Sequence, residues 1–278
     1  MTPGPGLAAE VAAVDGVEVL RWPGLVDLGV DAVVTGRAGG VSVGPYDGLN
    51  LGLHVGDDPD AVRENRRRAA AVLGAGLDDV VAYRQVHGRE VAVVGPADRG
   101  RGARVHDDTV PEADALVTAA PGVVLAVLVA DCLPVLLVDP AARVLGCVHA
   151  GWRGTVADVV GATVAAMVEL GARPVDVVAL LGPAVPPERY QVGEEVAAGA
   201  RDRFGPVVGQ VLLPDPDPGR WRFDLWEANA RLLVAAGVPA DNVARSGALP
   251  TGDGRFFSDR AQRPCGRFGL LATLRPAP

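Results

Sequence analysis

Three side chains suited to hold a soft divalent ion stand at the ends of apolar, strand-like runs. Cys132 follows Val123–Ala130 in Ala-Asp-Cys-Leu-Pro, and His149 ends Val144–His149 in His-Ala-Gly-Trp-Arg-Gly. His87 follows Val80–Val86 in Gln-Val-His-Gly. One thiolate and two imidazoles make a three-ligand zinc set with a fourth position open, the catalytic rather than the structural pattern. The three are far apart in the chain, so no compact finger spacing exists. Taken singly, each has a plainer reading: a buried Cys acts as a small hydrophobe, and a lone His is a satisfied core or surface residue. Their shared position after strand-like runs makes the three together more persuasive than any one alone, while spacing by itself leaves the plainer readings open. Asp131 precedes Cys132. In extended chain, neighbouring side chains point to opposite faces, so Asp131 reads as an acid–base group, a supporting group behind the ligands or a strand-end cap. Cys147 reads as core packing or as a neighbour of the metal.

Two arginines are candidates for an anion. Arg37 lies in Thr-Gly-Arg-Ala-Gly-Gly, and Arg153 lies in Gly-Trp-Arg-Gly where a long helix begins. A helix N-terminus with an Arg suits phosphate, and a solvated surface charge is the alternative for each. Gly-Arg-Ala-Gly-Gly lacks the Gly-Lys-Ser/Thr ending of a P-loop, and no Gly-x-Ser-x-Gly elbow, HExxH or H-x-E…P-C-x-x-C signature occurs.

The 278-residue chain is 49% hydrophobic but only 4% aromatic, so Val, Leu and Ala must fill its core. A net charge of −8 argues against nucleic-acid and anionic-membrane binding. Every basic residue is Arg, whose fork grips phosphate bidentately. Three cysteines cannot make a disulfide framework and fit a reducing compartment. The N-terminus lacks the pattern of a signal peptide, and Val123–Val138 is interrupted by Asp131 and Pro134, too short to span a bilayer. These features predict a cytoplasmic protein.

Residues 1–16, rich in Gly, Pro and Ala, read as a flexible tail, and 17–278 as one domain. Strands are expected at Val17–Trp22, Asp31–Thr35 and Val80–Val86, the last paired as a hairpin with Glu90–Val94. Further strands are expected at Ala115–Thr118, Val123–Ala130, Val135–Val138, Val144–His149 and Val175–Leu181. Gly36–Gly56 carries seven glycines and reads as a loop passing close to something. Residues 95–113 read as a surface loop. Asp57-Asp58-Pro59 opens a helix that stops at Gly74, and Thr155–Leu170 has one continuous helical stripe. Val192–Phe204 and Asp224–Ala236 are further helices, the latter opening on a capping box formed by Asp224 and Glu227. Buried strands mixed with helices indicate a layered α/β or α+β domain.

The motifs together resemble the laccase-domain, or YfiH-like, family. At the front stand Gly39-Gly40-Val41-Ser42, Tyr46, Leu49-Asn50-Leu51-Gly52, His54-Val55-Gly56-Asp57-Asp58 and Glu64-Asn65-Arg66. Gln85-Val86-His87-Gly88, Ala130-Asp131-Cys132-Leu133-Pro134 and His149-Ala150-Gly151-Trp152-Arg153-Gly154 resemble its central motifs. Gly182-Pro183-Ala184, Tyr190-x-Val192-Gly193 and Phe256-Phe257-Ser258 are similar to later ones.

The resemblance implies a single α+β sandwich, cysteine-hydrolase-like, with a mixed β-sheet core. It implies zinc on His87, Cys132 and His149, and phosphorolysis of adenosine, inosine, guanosine and methylthioadenosine, with adenosine deamination as a second reaction. On this reading Asp131 joins the three ligands in catalysis. Arg37, Asn50, Gln85 and Arg153 bind nucleoside or phosphate, and the protein is a monomer or small homo-oligomer. Copper-dependent phenol oxidation is the alternative. A blue-copper site wants an axial Met, and only Met1 and Met167 exist; multicopper chemistry wants more than the four histidines His54, His87, His106 and His149. A non-catalytic binding member and a cysteine hydrolase using Cys132 with His149 are further alternatives. The chain departs from the family pattern at Pro187-Glu188-Arg189, at Ser246–Arg255 and at Asp259-Arg260-Ala261, which bears on substrate preference and on anion contacts of the C-terminal arginines.

Overall fold

Two six-stranded sheets carry the molecule. The computed structural model describes residues 7–245 and 247–276. The first sheet runs, edge to edge, Glu10–Val14, Val17–Arg21, Val30–Thr35, Phe268–Leu274, Val124–Val129 and Val80–Val81. The second runs Val243–Ala244, Val178–Leu181, Leu133–Asp139, Val144–Ala150, Ala115–Thr118 and Val91–Val93. Both sheets are antiparallel except where the last strand of the first sheet and the two edge strands of the second pair in parallel. The sheets are thus mixed, and the fold is α+β.

The two sheets face one another across a dry core. Leu116, Leu136, Val138, Leu145, Cys147 and Leu180 from the second sheet meet Val34, Leu125, Val127, Phe268 and Leu270 from the first. The outer face of the second sheet is covered by helices α2 (Trp152–Val156), α3 (Val159–Glu169), α4 (Glu194–Phe204) and α5 (Leu225–Ala235). The helix that precedes these in the chain, α1 (Pro59–Ala71), covers the outer face of the first sheet through Ala69 and Ala70. Strands Leu133–Asp139 and Val144–Ala150 are buried at every position, as central strands covered on both faces must be. The C-terminal strand Phe268–Leu274 is inserted between Val30–Thr35 and Val124–Val129, so both halves of the chain share one sheet.

Several expectations change. Glu10–Val14, assigned to the tail, is an edge strand paired with Val17–Arg21 through the Asp15-Gly16 turn; residues 1–6 lie outside the described residues. Val80–Val86 is broken into Val80–Val81 and Tyr83–Gln85, which belong to different sheets. Its expected hairpin with Glu90–Val94 does not form, because His87 adopts φ 58 and sends the chain across to pair Val91–Val93 in parallel with Ala115–Thr118. The loop 95–113 ends in a strand, Val110–Ala113, that pairs with Tyr83–Gln85. The long helix is two: Asp158 takes φ 67 and its carboxylate accepts from Gly161 N, so it caps α3 rather than continuing α2. Similarly, α4 starts at Glu194 because Gln191–Val192 pairs with Trp221–Phe223. The expected strand Val175–Leu181 begins only at Val178, after a 3-10 turn at Pro174–Asp176; the remaining predicted strands and α5, with Asp224 as its cap, stand where the patterning puts them.

Candidate metal centre

The three candidate ligands converge. His87, Cys132 and His149 present donor atoms that all lie within 4.8 Å of one another, the only such metal-competent group of His, Cys, Asp and Glu among the described residues. Each comes from a different stretch. Cys132 sits in the turn before Leu133–Asp139, and His149 near the end of the adjacent strand, where Pro134 is paired with His149. His87 reaches in from the crossing between sheets, its ring edge-on to that of His149 with centroids 4.8 Å apart.

Two of these turns need unusual backbone. His87 has φ 58 and Asp131 φ 84, a region side chains other than Gly rarely adopt. Each is held by a buried carboxylate. Asp114, wholly buried, accepts from His87 N at 3.0 Å and Gly88 N at 2.5 Å. Asp131 accepts from Thr251 Oγ1 at 2.5 Å and Arg260 N at 2.8 Å, clasping the C-terminal loop against the Cys132 turn. The Asp131 carboxylate is therefore already engaged by two donors.

Asp114 also accepts from His149 Nδ1 at 2.8 Å. That bond puts the proton on Nδ1 and leaves the Nε2 lone pair for an ion, the arrangement by which a carboxylate orients a metal-binding imidazole. Asp114 was not among the expected site residues. Its only trace in the sequence is an acid between apolar residues in Ala113-Asp114-Ala115-Leu116, at the start of a buried strand.

Burial alone would raise the Cys132 thiol, but the charge of His149 and hydrogen bonds from His149 and His87 outweigh it and bring the group down to about 6. Burial likewise opposes the charged form of His149, yet the Cys132 thiolate and Asp114 raise it to about 9. Asp114 pays a desolvation penalty too, but His149 and the two backbone amides hold it below the usual carboxylate range. A deprotonated sulfur is what a soft ion needs. By contrast Cys147, on the same strand as His149, is wholly buried in the inter-sheet core with its thiol pushed up by desolvation, and it packs there as a hydrophobe.

Space for an ion is also present. A Cβ built on Gly151 would lie 2.9 Å from Cys132 Sγ, 3.5 Å from His87 Cδ2 and 3.8 Å from His149 Cε1. A side chain there would push into the ligand set, so the absence of one keeps the cradle open. The donor types, the His149 ring oriented by Asp114, the lowered thiol and this cradle fit a divalent ion, which would take the place of the proton on Nε2.

The other expected site residues all have protein partners. Gln85 lies on the strand leading to His87, and its Nε2 donates to Leu128 O at 2.6 Å. Asn50 is buried in the glycine-rich loop, where its Oδ1 accepts from Gly52 N and Arg267 N and its Nδ2 donates to Asp57. Arg37 donates to Asp47 O and stacks over Phe257 at 5.0 Å. Arg153 is exposed, paired with Glu195 at 3.1 Å and stacked on Trp152. The sequence also gave no sign that Tyr190 and Arg260 belong beside Cys132. Arg260 lies 4.7 Å over the Tyr190 ring, and burial followed by the Cys132 charge pushes the Tyr190 phenol up.

Residues 31–275 match the family model described as multi-copper polyphenol oxidoreductase laccase. The chain belongs to this laccase-domain family. Among its relatives, a purine nucleoside phosphorylase of Deinococcus radiodurans is 47% identical over 258 residues, 92% of this chain and 91% of its own. A protein named adenosine deaminase RL5, from an unknown prokaryotic organism, is 38% identical and covers 78% of this chain and 83% of its own. The crystal structure of YlmD from Geobacillus stearothermophilus superposes with a TM-score of 0.90 at 36% identity, covering 98% of this chain and all of that one. In this laccase-domain chain no helix among the described residues is long and apolar enough to cross a membrane.

Proposed function

We propose that this chain is a zinc-dependent purine nucleoside phosphorylase. It takes adenosine, inosine, guanosine or methylthioadenosine with phosphate, and releases the free base and the sugar 1-phosphate. Deamination of adenosine is a second activity of the same site, and a reducing, cytoplasmic setting suits its free cysteines. The observation that carries this reading is the His87–Cys132–His149 group with Asp114 behind it, in a chain whose near relatives include proteins named purine nucleoside phosphorylase and one named adenosine deaminase.

In phosphorolysis a phosphate oxygen forms a bond to C1′ as the C1′–N9 bond breaks. Both electrons of the old bond leave with the purine, which takes up a proton. Positive charge builds on the ribose between the two events, as in other glycosidic cleavages, so the protein must hold an anion beside the sugar. His87, Cys132 and His149 would hold the zinc, which when bound supplies Lewis-acid polarisation of substrate and activation of water. Asp114 fixes the His149 tautomer and the His87 turn. Asp131 keeps the Cys132 turn in place through Thr251 and Arg260. Arg37 and Arg153 each commit one guanidinium nitrogen to a protein partner, Nε to Asp47 O and Nη2 to Glu195, so phosphate would be engaged through the remaining N–H groups.

Product analysis with adenosine on metal-defined protein, with and without phosphate, tests the reading. Adenine and ribose 1-phosphate are expected only when phosphate is present; inosine consumption that ignores phosphate would refute phosphorolysis. A second reading has its own support. Cys132, His149 and Asp114 line up as thiol, imidazole and carboxylate, the order of a cysteine hydrolase, and full activity after thorough metal removal would favour it. For copper phenol oxidation, suggested by the family's description, the check is copper titration of metal-free protein with a phenol and a nucleoside assayed side by side.

A further inference from the structure

A cavity of about 290 Å³ adjoins the ligand set and shares His87 with it. Its wall includes His54, Arg66, Gln85, His106 and Arg267, and no Asp or Glu. We propose that this cavity is an oxyanion subsite that takes a phosphate group. The proposal rests on the phosphorylase reading for its catalytic meaning, but it stands on the cavity's own chemistry.

Two guanidiniums in the wall lack a carboxylate partner among the described residues. Arg66 is 8% exposed, and its Nε and Nη1 donate to the carbonyls of Leu51, Gly102 and Ala103. Arg267 donates through Nη1 to Cys265 O, Cys265 Sγ and Gly266 O. These backbone acceptors fix both side chains in place without neutralising them. Among the described residues, Nη2 of Arg66, and Nε and Nη2 of Arg267, find no protein acceptor. A cation taken out of water without a counter-charge is costly, and a bound anion removes that cost. Most other arginines of this chain sit against an acid; Arg84, on the same wall, is paired with Glu112.

The surroundings are built to hold these charges. Asn50 Oδ1 accepts from Arg267 N at 2.8 Å, so the buried asparagine of the glycine-rich loop helps to position Arg267. Gly52 admits Arg267, since a Cβ there would lie 2.9 Å from its Cγ. His54 and His106 stand with ring centroids 5.5 Å apart and line the same cavity as the two guanidiniums. Partial desolvation, then the charges of Arg267, His106 and Arg66, pull His54 down to about 4. It is neutral at pH 7 and offers a hydrogen bond without adding charge. Preorganised guanidinium donors of this kind suit phosphate, and the shared His87 sets such an anion next to the metal-binding group.

The phosphate can be the free co-substrate or an ester carried by the nucleoside. The experiment titrates inorganic phosphate, and separately adenosine 5′-monophosphate and adenosine, into metal-loaded full-length protein by calorimetry. Wild type, Arg267→Gln, Arg267→Lys, His106→Gln and Cys132→Ser are compared, with thermal melts to confirm folding. Binding of inorganic phosphate that weakens tenfold or more in Arg267→Gln, recovers in Arg267→Lys and persists in Cys132→Ser supports a co-substrate subsite. If the monophosphate alone shows that pattern and binds tighter than adenosine, the anion is an ester. Should Arg267→Gln not fold, His106→Gln gives the same comparison with an expected loss of threefold or more. Unchanged affinity for both phosphates in the folded variants, or no binding of either to wild type, overturns the proposal. Since Cys132→Ser removes turnover while leaving this cavity intact, failure of the phosphorylase reading and failure of the subsite give different results.

Discussion

Replacing Asp114 by Asn tests the central idea that one buried carboxylate organises two of the three ligands. The exchange keeps shape and removes charge. In the native site, Asp114 Oδ1 accepts from both His87 N and His149 Nδ1, and Oδ2 accepts from Gly88 N. All these partners are donors. An amide has only one acceptor atom, so its NH2 must face either the Gly88 amide or the His87 and His149 donors. One orientation leaves a buried backbone N–H unsatisfied, at about 1–3 kcal/mol. The other drives His149 to its Nε2–H tautomer, with the proton where an ion must bind. Loss of such an outer carboxylate weakens metal binding by about 10–100-fold, and one thermal shift accompanies it, on the order of 2–4 °C per kcal/mol in a domain of this size. The assays are chelator competition for zinc, a thermal melt with and without metal, and adenosine turnover. The expected result is a melting temperature that falls more with metal than without it, together with weaker zinc retention. Zinc affinity within twofold of wild type and unaltered turnover would refute the assignment of Asp114 as the organiser of this site.

Gly151→Ala places a methyl 2.9 Å from Cys132 Sγ on ordinary backbone with φ −76, so it should crowd the thiolate and lower metal occupancy without unfolding the chain; metal content per folded protein measures it. In metal-free protein, alkylation of Cys132 by iodoacetamide should rise with pH around a midpoint near 6 rather than near 9, and zinc should protect it; peptide mass spectrometry follows the site. The lowered thiol adds stability that is complete above its unfolded value and is lost as pH falls through about 6, whereas the raised His149 adds stability that is complete below 6.5 and is lost as pH rises through about 9. Between pH 6.5 and about 9 the two opposing changes nearly cancel, so the melting temperature of metal-free protein should be almost flat across that range, and a steep slope there in thermal melts would refute the thiolate–imidazolium pairing. Leu136→Ala, in the centre of the core between the sheets and 0% exposed, should cost about 2–5 kcal/mol in urea unfolding while leaving turnover per folded molecule unchanged.

Much of the secondary structure was written locally. The apolar runs around Leu133–Asp139 and Val144–Ala150 read as covered strands, and Asp224 with Glu227 marked the start of α5 because a cap acts on its own first turn. Two of the misplaced elements, the strand and hairpin around His87 and the long helix broken at Asp158, share a cause. At His87 and Asp158 a residue other than Gly takes positive φ, a conformation that local propensity disfavours and that only contacts from distant residues enforce. For the same reason the hairpin after Val80–Val86 could not be excluded beforehand: the partner of Val91–Val93 is chosen by the second sheet.

By itself, the sequence determined which atoms could bind an ion, since thiolate and imidazole chemistry belongs to the residue type, and their placement after buried runs already put them at strand ends. Only the tertiary structure decided that His87, Cys132 and His149 share one cradle, that Asp114 stands behind them, and that Asn50 and Asp131 brace the frame. The physical reason is range. A side chain's chemistry and its local backbone preference are set within a few residues, whereas the Asp131–Thr251 hydrogen bond joins residues 120 apart and exists only because two sheets pack face to face.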